Sequence, residues 1–422
     1  MHTLVIVNPG HFHAGLILRR RHPELSRDVH IFSEAGSDLD NFMKLINAFN
    51  ERADAPTDWI YHVYTGGDFL EKAAAFKGGD IAVFAGRNDR KVYYLDAMHR
   101  AGYAILTDKP VTIDSDGVAV LEKALASGGK PVVDIMTGRH EPSARLFRDF
   151  LLTPEIFGEF RAEGELPMIE NNTIHHLYKT VNGAPLVRPA WYFDVNKQGC
   201  GLCDVATHLL DNAQWMLYGD LAINFDNEVE LLDAELGVTA VPADKFELIT
   251  KVKAFPAEFA DRVKDGVLKV ACNGSLTVQY RDVTVRVGAQ WNLEAPPGGG
   301  DMHNQIARGS MSDLFVEQGP QTGFKALVYV KPRTMKPEAM QAVIAKRLAQ
   351  LGYADAKVEV AGDRCLVTPP SSMVDGHEFH FALVRDDFLK MLATGAEPEG
   401  LRSQLAAKYK IMGMARDLAL RK

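Results

Sequence analysis

Between Thr3 and about Ile135 the chain alternates short apolar runs with stretches in which apolar residues recur every three or four positions. The apolar runs are LVIV, VHIF, IAVFAG, YAILTDKP and PVVDIM; between them lie Leu39 to Asn50, Asp68 to Phe76, Arg90 to Ala101 and Asp116 to Ser127. Continuous apolar strands separated by amphipathic helices predict a parallel sheet covered on both faces, a Rossmann-like doubly wound α/β unit. The rhythm changes near Met136, and Ala144 to Leu152 reads as a linking helix. Beyond it Phe246 to Val252, Leu268 to Ala271, Ser275 to Tyr280 and Val283 to Trp291 alternate as strands. This predicts an α+β unit built on an open, mainly antiparallel sheet with helices on one face. From Lys325 onward the pattern is strand, helix, two strands and a final helix, with HEFHFALV read as an alternating strand after an Asp-Gly turn. Three segments are therefore expected: 1–136, 137–324 and a C-terminal α+β extension, 325–422, packed on the second.

One stretch carries two demands. From Gly199 to Gly219 (GCGLCDVATHLLDNAQWMLYG), Leu202, Val205, Ala206, Leu209, Leu210, Ala213, Met216 and Leu217 form a buried stripe if the whole stretch is helical. A second stripe would hold Asp204, His208, Asp211 and Trp215, and the four-residue step from Asp204 to His208 would set a carboxylate beside an imidazole. Such a pair suits proton transfer near neutral pH, although a helix-dipole partner and a satisfied core histidine would look the same in sequence.

The first strand runs into NPGHFHAG, where a dinucleotide-binding unit carries its glycine-rich phosphate turn. Asn8, Gly10 and His13 stand in the register of the three glycines, with His11 and Phe12 between them. The second strand ends in Ser33 and Glu34; an acid there binds ribose hydroxyls and disfavours the extra phosphate of NADP, so NAD is expected over NADP. Gly86 and Asn88 follow the next apolar run and are expected to line the cofactor. Asp108, Lys109 and Pro110 close the strand after it and place an ammonium at the same sheet edge.

At 422 residues, 46% hydrophobic and 24% charged, the chain has ample core for more than one domain. A formal net charge of -8 offers no basic footprint, so nucleic acid and anionic membrane are not expected as partners. No leader or spanning segment is read, and a cytoplasmic location is expected. Cys200 and Cys203 form a C-x-x-C that could be redox-active or half a zinc site, with buried thiols as the plain alternative. HEFH lacks a residue of the H-E-x-x-H zinc motif, and no closed ligand set is seen, so no metal is expected.

DKP after a strand, together with a glycine-containing entry to D-x-x-x-H, resembles the Gfo/Idh/MocA family of NAD(P)-dependent oxidoreductases. NPGHFHAG, DIMTGRHEP, RPAWYFDV and GGGDMHNQIARGS look like a subgroup of those oxidoreductases with its own C-terminal domain. The resemblance implies Lys109, Asp204 and His208 as catalytic residues, with Asp108 in place of the usual glutamate. It also implies a carbohydrate or cyclitol substrate on the second sheet, and a homodimer or homotetramer through that sheet. His175, His176, Tyr178, Trp191, Asp301 and His303 offer the polar and aromatic contacts that sugars use. Three functions stay open: net dehydrogenation of a secondary hydroxyl; a lyase, glycosidase or epimerase working by transient oxidation on retained NAD; and a nucleotide-binding sensor.

Overall fold

The computed structural model describes all residues except 182, 183, 354, 374 and 375. The first half builds β1 (His2–Val7), α1 (His13–Leu16), β2 (Leu25–Ser33), α2 (Ser37–Glu51), β3 (Ile60–Thr65), α3 (Phe69–Ala75), β4 (Ile81–Phe84), α4 (Lys91–Arg100), β5 (Ala104–Thr107), α5 (Ser115–Ala126) and β6 (Val132–Asp134). These six strands pair in parallel in the order β3-β2-β1-β4-β5-β6. The order reverses at β1, so a crevice opens beyond the carboxyl ends of β1 and β4. β3 is absent from the apolar-run reading because IYHVYT lies at the sheet edge, mostly exposed, and needs no continuous apolar run.

A turn of 3-10 helix over 137–140 leads into α6 (Pro142–Leu151). The second half follows as β7 (Ile169–Tyr178), the short pair β8 (Thr180–Val181) and β9 (Ala184–Pro185), α7 (Val195–Gln198), α8 (Ala206–Tyr218), α9 (Phe225–Glu228), β10 (Val229–Pro242), α10 (Ala243–Thr250), β11 (Val263–Lys264), β12 (Val267–Tyr280), β13 (Val283–Glu294), β14 (Met302–Arg308) and β15 (Ser312–Gln318). The C-terminal part adds β16 (Leu327–Pro332), α11 (Pro337–Gln350), β17 (Lys357–Ala361), β18 (Arg364–Thr368), α12 (His377–Thr394) and α13 (Leu401–Ala419). A single ten-stranded sheet takes β10, β12, β13, β7, β14, β15, β16, β18 and β17 in that order, with β11 beside β12. It is antiparallel except where β13 runs parallel to β7.

Two segments expected as strands are helices. Phe246 and Ile249 are buried on α10, and Phe381, Val384, Phe388 and Leu389 are buried on α12; both sets follow helical spacing, which outweighs the partial alternation of the sequence. The Asp-Gly turn expected at 375 and 376 lies partly outside the described residues. The extension is also not simply packed on the second unit. Its strands continue the second sheet, whereas the buried residues of α12 join the core on one face of the first sheet, with Leu4, Ile6, Ile31 and Phe42. The covering is needed there because α1 has only four residues, too short to cover that face. On the opposite face, a continuous core runs from Val5, Phe84 and Ile105 through Phe147 and Leu210 to Val285 and Leu314, so the two sheets share one interior.

α13 lies against α5, β10 and α8, and one buried charge cluster fixes it. Lys408 Nζ donates to Asp134 Oδ2 and Asp211 Oδ1, both at 2.7 Å; Arg139 forks onto Asp211 at 2.7 and 2.8 Å, and the Tyr409 hydroxyl donates to Asp134 at 3.0 Å. Burial alone would raise the Asp211 pKa, but Arg139 and Lys408 hold it well below the ordinary value. Lys408→Met would leave Asp134 and Asp211 buried beside a single guanidinium, and a loss of about 3–5 kcal/mol in unfolding free energy is expected from urea denaturation.

Candidate active site

The stretch from Gly199 to Gly219 is not one helix. It opens as an irregular turn and becomes helical only at Ala206, because Gly201 is seated flat on β12: a Cβ there would lie 2.2 Å from the Asn273 carbonyl carbon. Asp204 therefore sits ahead of α8, in the turn that leads into it. Its carboxylate turns to the first half of the chain. Lys109 Nζ donates to Oδ1 at 2.7 Å and the Tyr192 hydroxyl to Oδ2 at 3.2 Å. The expected Asp204–His208 pair is thus replaced by an Asp204–Lys109 ion pair, with the side chains only 8% and 12% exposed. Burial opposes the Asp204 charge, yet the Lys109 ammonium, aided by His175 and the Tyr192 bond, lowers its pKa to about 2. His208 stands half-buried in the first turn of α8.

Lys109 is held from both sides by a residue the sequence reading missed. Lys91, buried at the start of α4, donates Nζ to the carbonyls of Asp108 at 3.0 Å and Pro110 at 2.9 Å. Two hydrogen bonds from one ammonium thus brace the loop on either side of Lys109. The Asp108 carboxylate itself turns back to the first strand's turn, with His13 Nδ1 3.0 Å from Oδ1 and His11 Nδ1 3.5 Å from Oδ2. Burial would raise the Asp108 pKa, but the two imidazoles and Lys91 hold it far below normal. Burial, with His13 beside it, keeps the His11 pKa well below that of a free histidine.

At the crevice between β1 and β4 lies a cleft of about 260 Å³ lined by Asn8, Glu34, Gly86, Arg87, Arg90 and Tyr94, among others. Asn8 adopts a left-handed φ of 46° and accepts from the Ser33 hydroxyl at 3.1 Å and the Glu34 amide at 3.3 Å, tying the ends of β1 and β2. Gly86 is obligatory: a Cβ would come within 2.7 Å of the Asn8 carbonyl oxygen. The Gly10 and His11 amides both donate to the Ala85 carbonyl, at 2.9 and 3.1 Å, and the Phe12 ring is exposed beside the His11 and His13 rings. Asn88 departs from its expected place. It is buried, and its side chain donates to the Gln198 carbonyl at 2.7 Å while its amide donates to Lys197, so it stitches the two halves together.

From Tyr192 the site continues into the second sheet. Trp291 packs against Tyr192 and His175, with centroids 5.9 and 5.0 Å apart, and the Arg188 guanidinium stacks on both Tyr192 and Trp291. Asp301 gathers His175 at 2.9 Å, His176 at 3.4 Å and Lys179, which together overcome the effect of burial and lower its pKa. His303 lies nearby, donating to Asn171 at 2.6 Å, its pKa pushed down to about 4 by burial. Tyr178 packs at the edge of the core under Tyr192 rather than in the Asp301 cluster. Trp191 is displaced further: its indole donates to Asp38 Oδ1 at 3.2 Å at the head of α2, on the cleft side, with Arg87 on the other carboxylate oxygen. Arg188 precedes Trp191 in RPAWYFDV, the only sequence cue to it; Lys91 carries no cue short of the fold. Cys200 and Cys203 are buried thiols with Sγ atoms 3.7 Å apart.

A doubly wound sheet whose switch-point cleft adjoins a buried lysine–aspartate pair, facing an aromatic and histidine-rich sheet, defines a protein of the oxidoreductase class. The chain belongs to the family described as "Putative oxidoreductase C terminal domain", whose model matches residues 146–420. It is similar over 100% of its length, at 35% identity and a TM-score of 0.95, to 98% of a "putative oxidoreductase" from Parabacteroides merdae. Two more distant structures share the fold: levoglucosan dehydrogenase in complex with NADH and levoglucosan (13% identity, TM-score 0.64, 100% of this chain and 97% of that one), and a 3-ketoreductase from Actinomadura kijaniata in complex with NADP and TDP-benzene (14%, 0.59, 99% and 97%). Comparison with curated proteins finds no match. Among the described residues no helix is long and apolar enough to cross a membrane.

Lys91 offers a check on this geometry. Burial lowers its pKa from 10.5 to about 8, so between those values the unfolded chain binds a proton that the folded chain does not, and stability rises with pH in that window. Lys91→Met should remove that rise. The difference in unfolding free energy between wild type and variant, followed from pH 8 to 10, is expected to change by up to about 1.4 kcal/mol per pH unit in favour of the wild type.

Proposed function

We propose that the chain is a nicotinamide-dinucleotide-dependent oxidoreductase acting on a secondary hydroxyl or keto carbon of a sugar, glycoside or cyclitol. The observation that carries this reading is the Lys109–Asp204 pair, which joins the edge of the dinucleotide-type cleft to the His175, Trp291 and Asp301 wall of the second sheet. The cleft suits the adenosine end of the dinucleotide. Asn8 and Gly86 let the backbone approach closely, Glu34 meets the ribose hydroxyls, and Tyr94 supplies a ring; the likeness to structures holding NADH or NADP supports the same use. When bound, the nicotinamide supplies the hydride acceptor or donor. Glu34 favours NAD over NADP.

Lys109 donates a hydrogen bond to the reacting oxygen and stabilises charge as the hydroxyl proton leaves. Asp204, a carboxylate at neutral pH, does not itself hold that proton; it orients Lys109 and balances its charge. His208 takes the proton, because Lys109, already the ammonium partner of Asp204, has no site for it. The Asp301 carboxylate accepts from, and the His175 ring hydrogen-bonds to, neighbouring sugar hydroxyls against the Trp291 face. Packing of Phe381 on His13 at 4.6 Å, which brings α12 against the phosphate turn, favours a second reading in which a retained dinucleotide oxidises the substrate only transiently.

Against a sugar panel with NAD, Lys109→Ala is expected to lower kcat/KM by about 10²- to 10⁴-fold while quenching of tryptophan fluorescence by NAD persists. Unchanged turnover in both Lys109→Ala and His208→Ala would sink the assignment. Glu34→Ser is expected to raise the NADP-to-NAD ratio of kcat/KM by about tenfold or more; an unmoved ratio would show that Glu34 does not meet the ribose.

A further inference from the structure

The phosphate turn holds side chains that the proposed hydride chemistry does not use. His11 and His13 flank Phe12 on the turn after β1, and Asp108 comes to them from 95 residues beyond His13, at the end of β5. One ligand atom from each of the three lies within 4.8 Å of the others. The spacing H-x-H alone closes no ligand set, and the third member is supplied only by the parallel order of β1, β4 and β5.

Several observations point beyond a hydrogen-bonded cluster. His11 Nδ1 is buried and makes no hydrogen bond, although Asp108 Oδ2 is 3.5 Å away. A buried imidazole nitrogen left in this state costs free energy unless something else engages it. Lys109 already has its counter-charge in Asp204 at 2.7 Å, and Lys91 spends its hydrogen bonds on backbone carbonyls, so among the described residues the direct contacts of the Asp108 carboxylate are the two imidazoles. Two ligands held about 2.0–2.2 Å from one ion are at most about 4.4 Å apart, so small side-chain rotations bring this set to bonding distance.

We propose that His11, His13 and Asp108 bind one divalent transition-metal ion at the base of the crevice, beside Lys109. Two imidazoles and one carboxylate form the donor set of catalytic rather than structural sites for zinc or ferrous iron. Three protein ligands leave at least one position for water or for an oxygen of a bound molecule. The site goes beyond the hydride reading and does not depend on it.

The test uses the full chain without an affinity tag, stripped with chelator and titrated with Zn²⁺ by calorimetry, then with Co²⁺ followed by its visible absorption. One equivalent should bind, and Co²⁺ should give the intense bands of a low-coordinate site. Removing even an outer-shell partner costs 10–100-fold, so His11→Gln, which keeps a polar side chain on the same turn, should weaken binding by at least about 100-fold with an unchanged melting temperature. His13→Gln serves as the second variant, read the same way after its melt is checked. Less than about 0.1 equivalent bound at 1 mM ion would overturn the proposal. So would stoichiometric binding that survives both histidine variants, or binding that disappears only in Cys200→Ser. Because none of these readouts is turnover, their failure leaves the oxidoreductase reading untouched, and failure of that reading leaves them interpretable.

Discussion

The Lys109–Asp204 ion pair is the constraint on which the rest of this structure hangs. One partner comes from the loop after β5 and the other from the turn before α8, and both are nearly shut off from water. Each buried charge is costly unless the other is in place with its hydrogen bonds complete. The relation between the two halves is therefore also the geometry of the site. Asn88 on the Gln198 carbonyl and Gly201 against Asn273 set the turn that carries Asp204. Lys91 sets the loop that carries Lys109.

The same economy explains why the last hundred or so residues are not an appendage. A four-residue α1 cannot cover one face of a parallel sheet, and a parallel sheet is not left open to water. α12 returns from the far end of the chain to bury Phe381, Val384 and Phe388 there, and Arg385 donates to the carbonyls of Ile17 and Arg20 just past the short helix. α13 adds Lys408 between Asp134 and Asp211, so the C-terminal pair of helices spans both units.

Much of this was legible in the residues, because the signals were local. Short apolar runs mark five of the six parallel strands, and DKP places Lys109 just after one of them, β5. Asp204 was identified as a residue, but the partner assigned to it was wrong. The spacing rule assumes a helix, and the helix starts two residues too late because Gly201 must lie flat on β12. Trp191 and Asn88 resemble ligand contacts because polar and aromatic loop residues look alike in sequence; in the structure both form ties between the halves. Lys91 and Arg188 were invisible because an amphipathic helix and a loop ordinarily expose such side chains. Only the fold shows that their charges are buried against carbonyls and rings. α10 and α12 passed for strands because a few alternating positions fit either period.

The turn after β1 shows how a doubly wound architecture can shift its electrostatics. In a glycine-rich turn, free amides and a long helix meet a phosphate's charge. Here the Gly10 and His11 amides are already satisfied by Ala85, and α1 is a single turn. Positive potential at the crevice must come from side chains instead: Arg87 and Arg90 on the cleft wall, Lys91 and Lys109 at its base. Such charges fall off with salt where exposed and persist where buried, so the inner end of the crevice keeps its potential while the outer end is screened. Placing Asp108 between that inner pair of cations and the two histidines keeps the lysines from repelling whatever cationic centre lies nearest. The Asp108 carboxylate and its neighbouring carbonyl therefore link the lysine pair to the histidine turn.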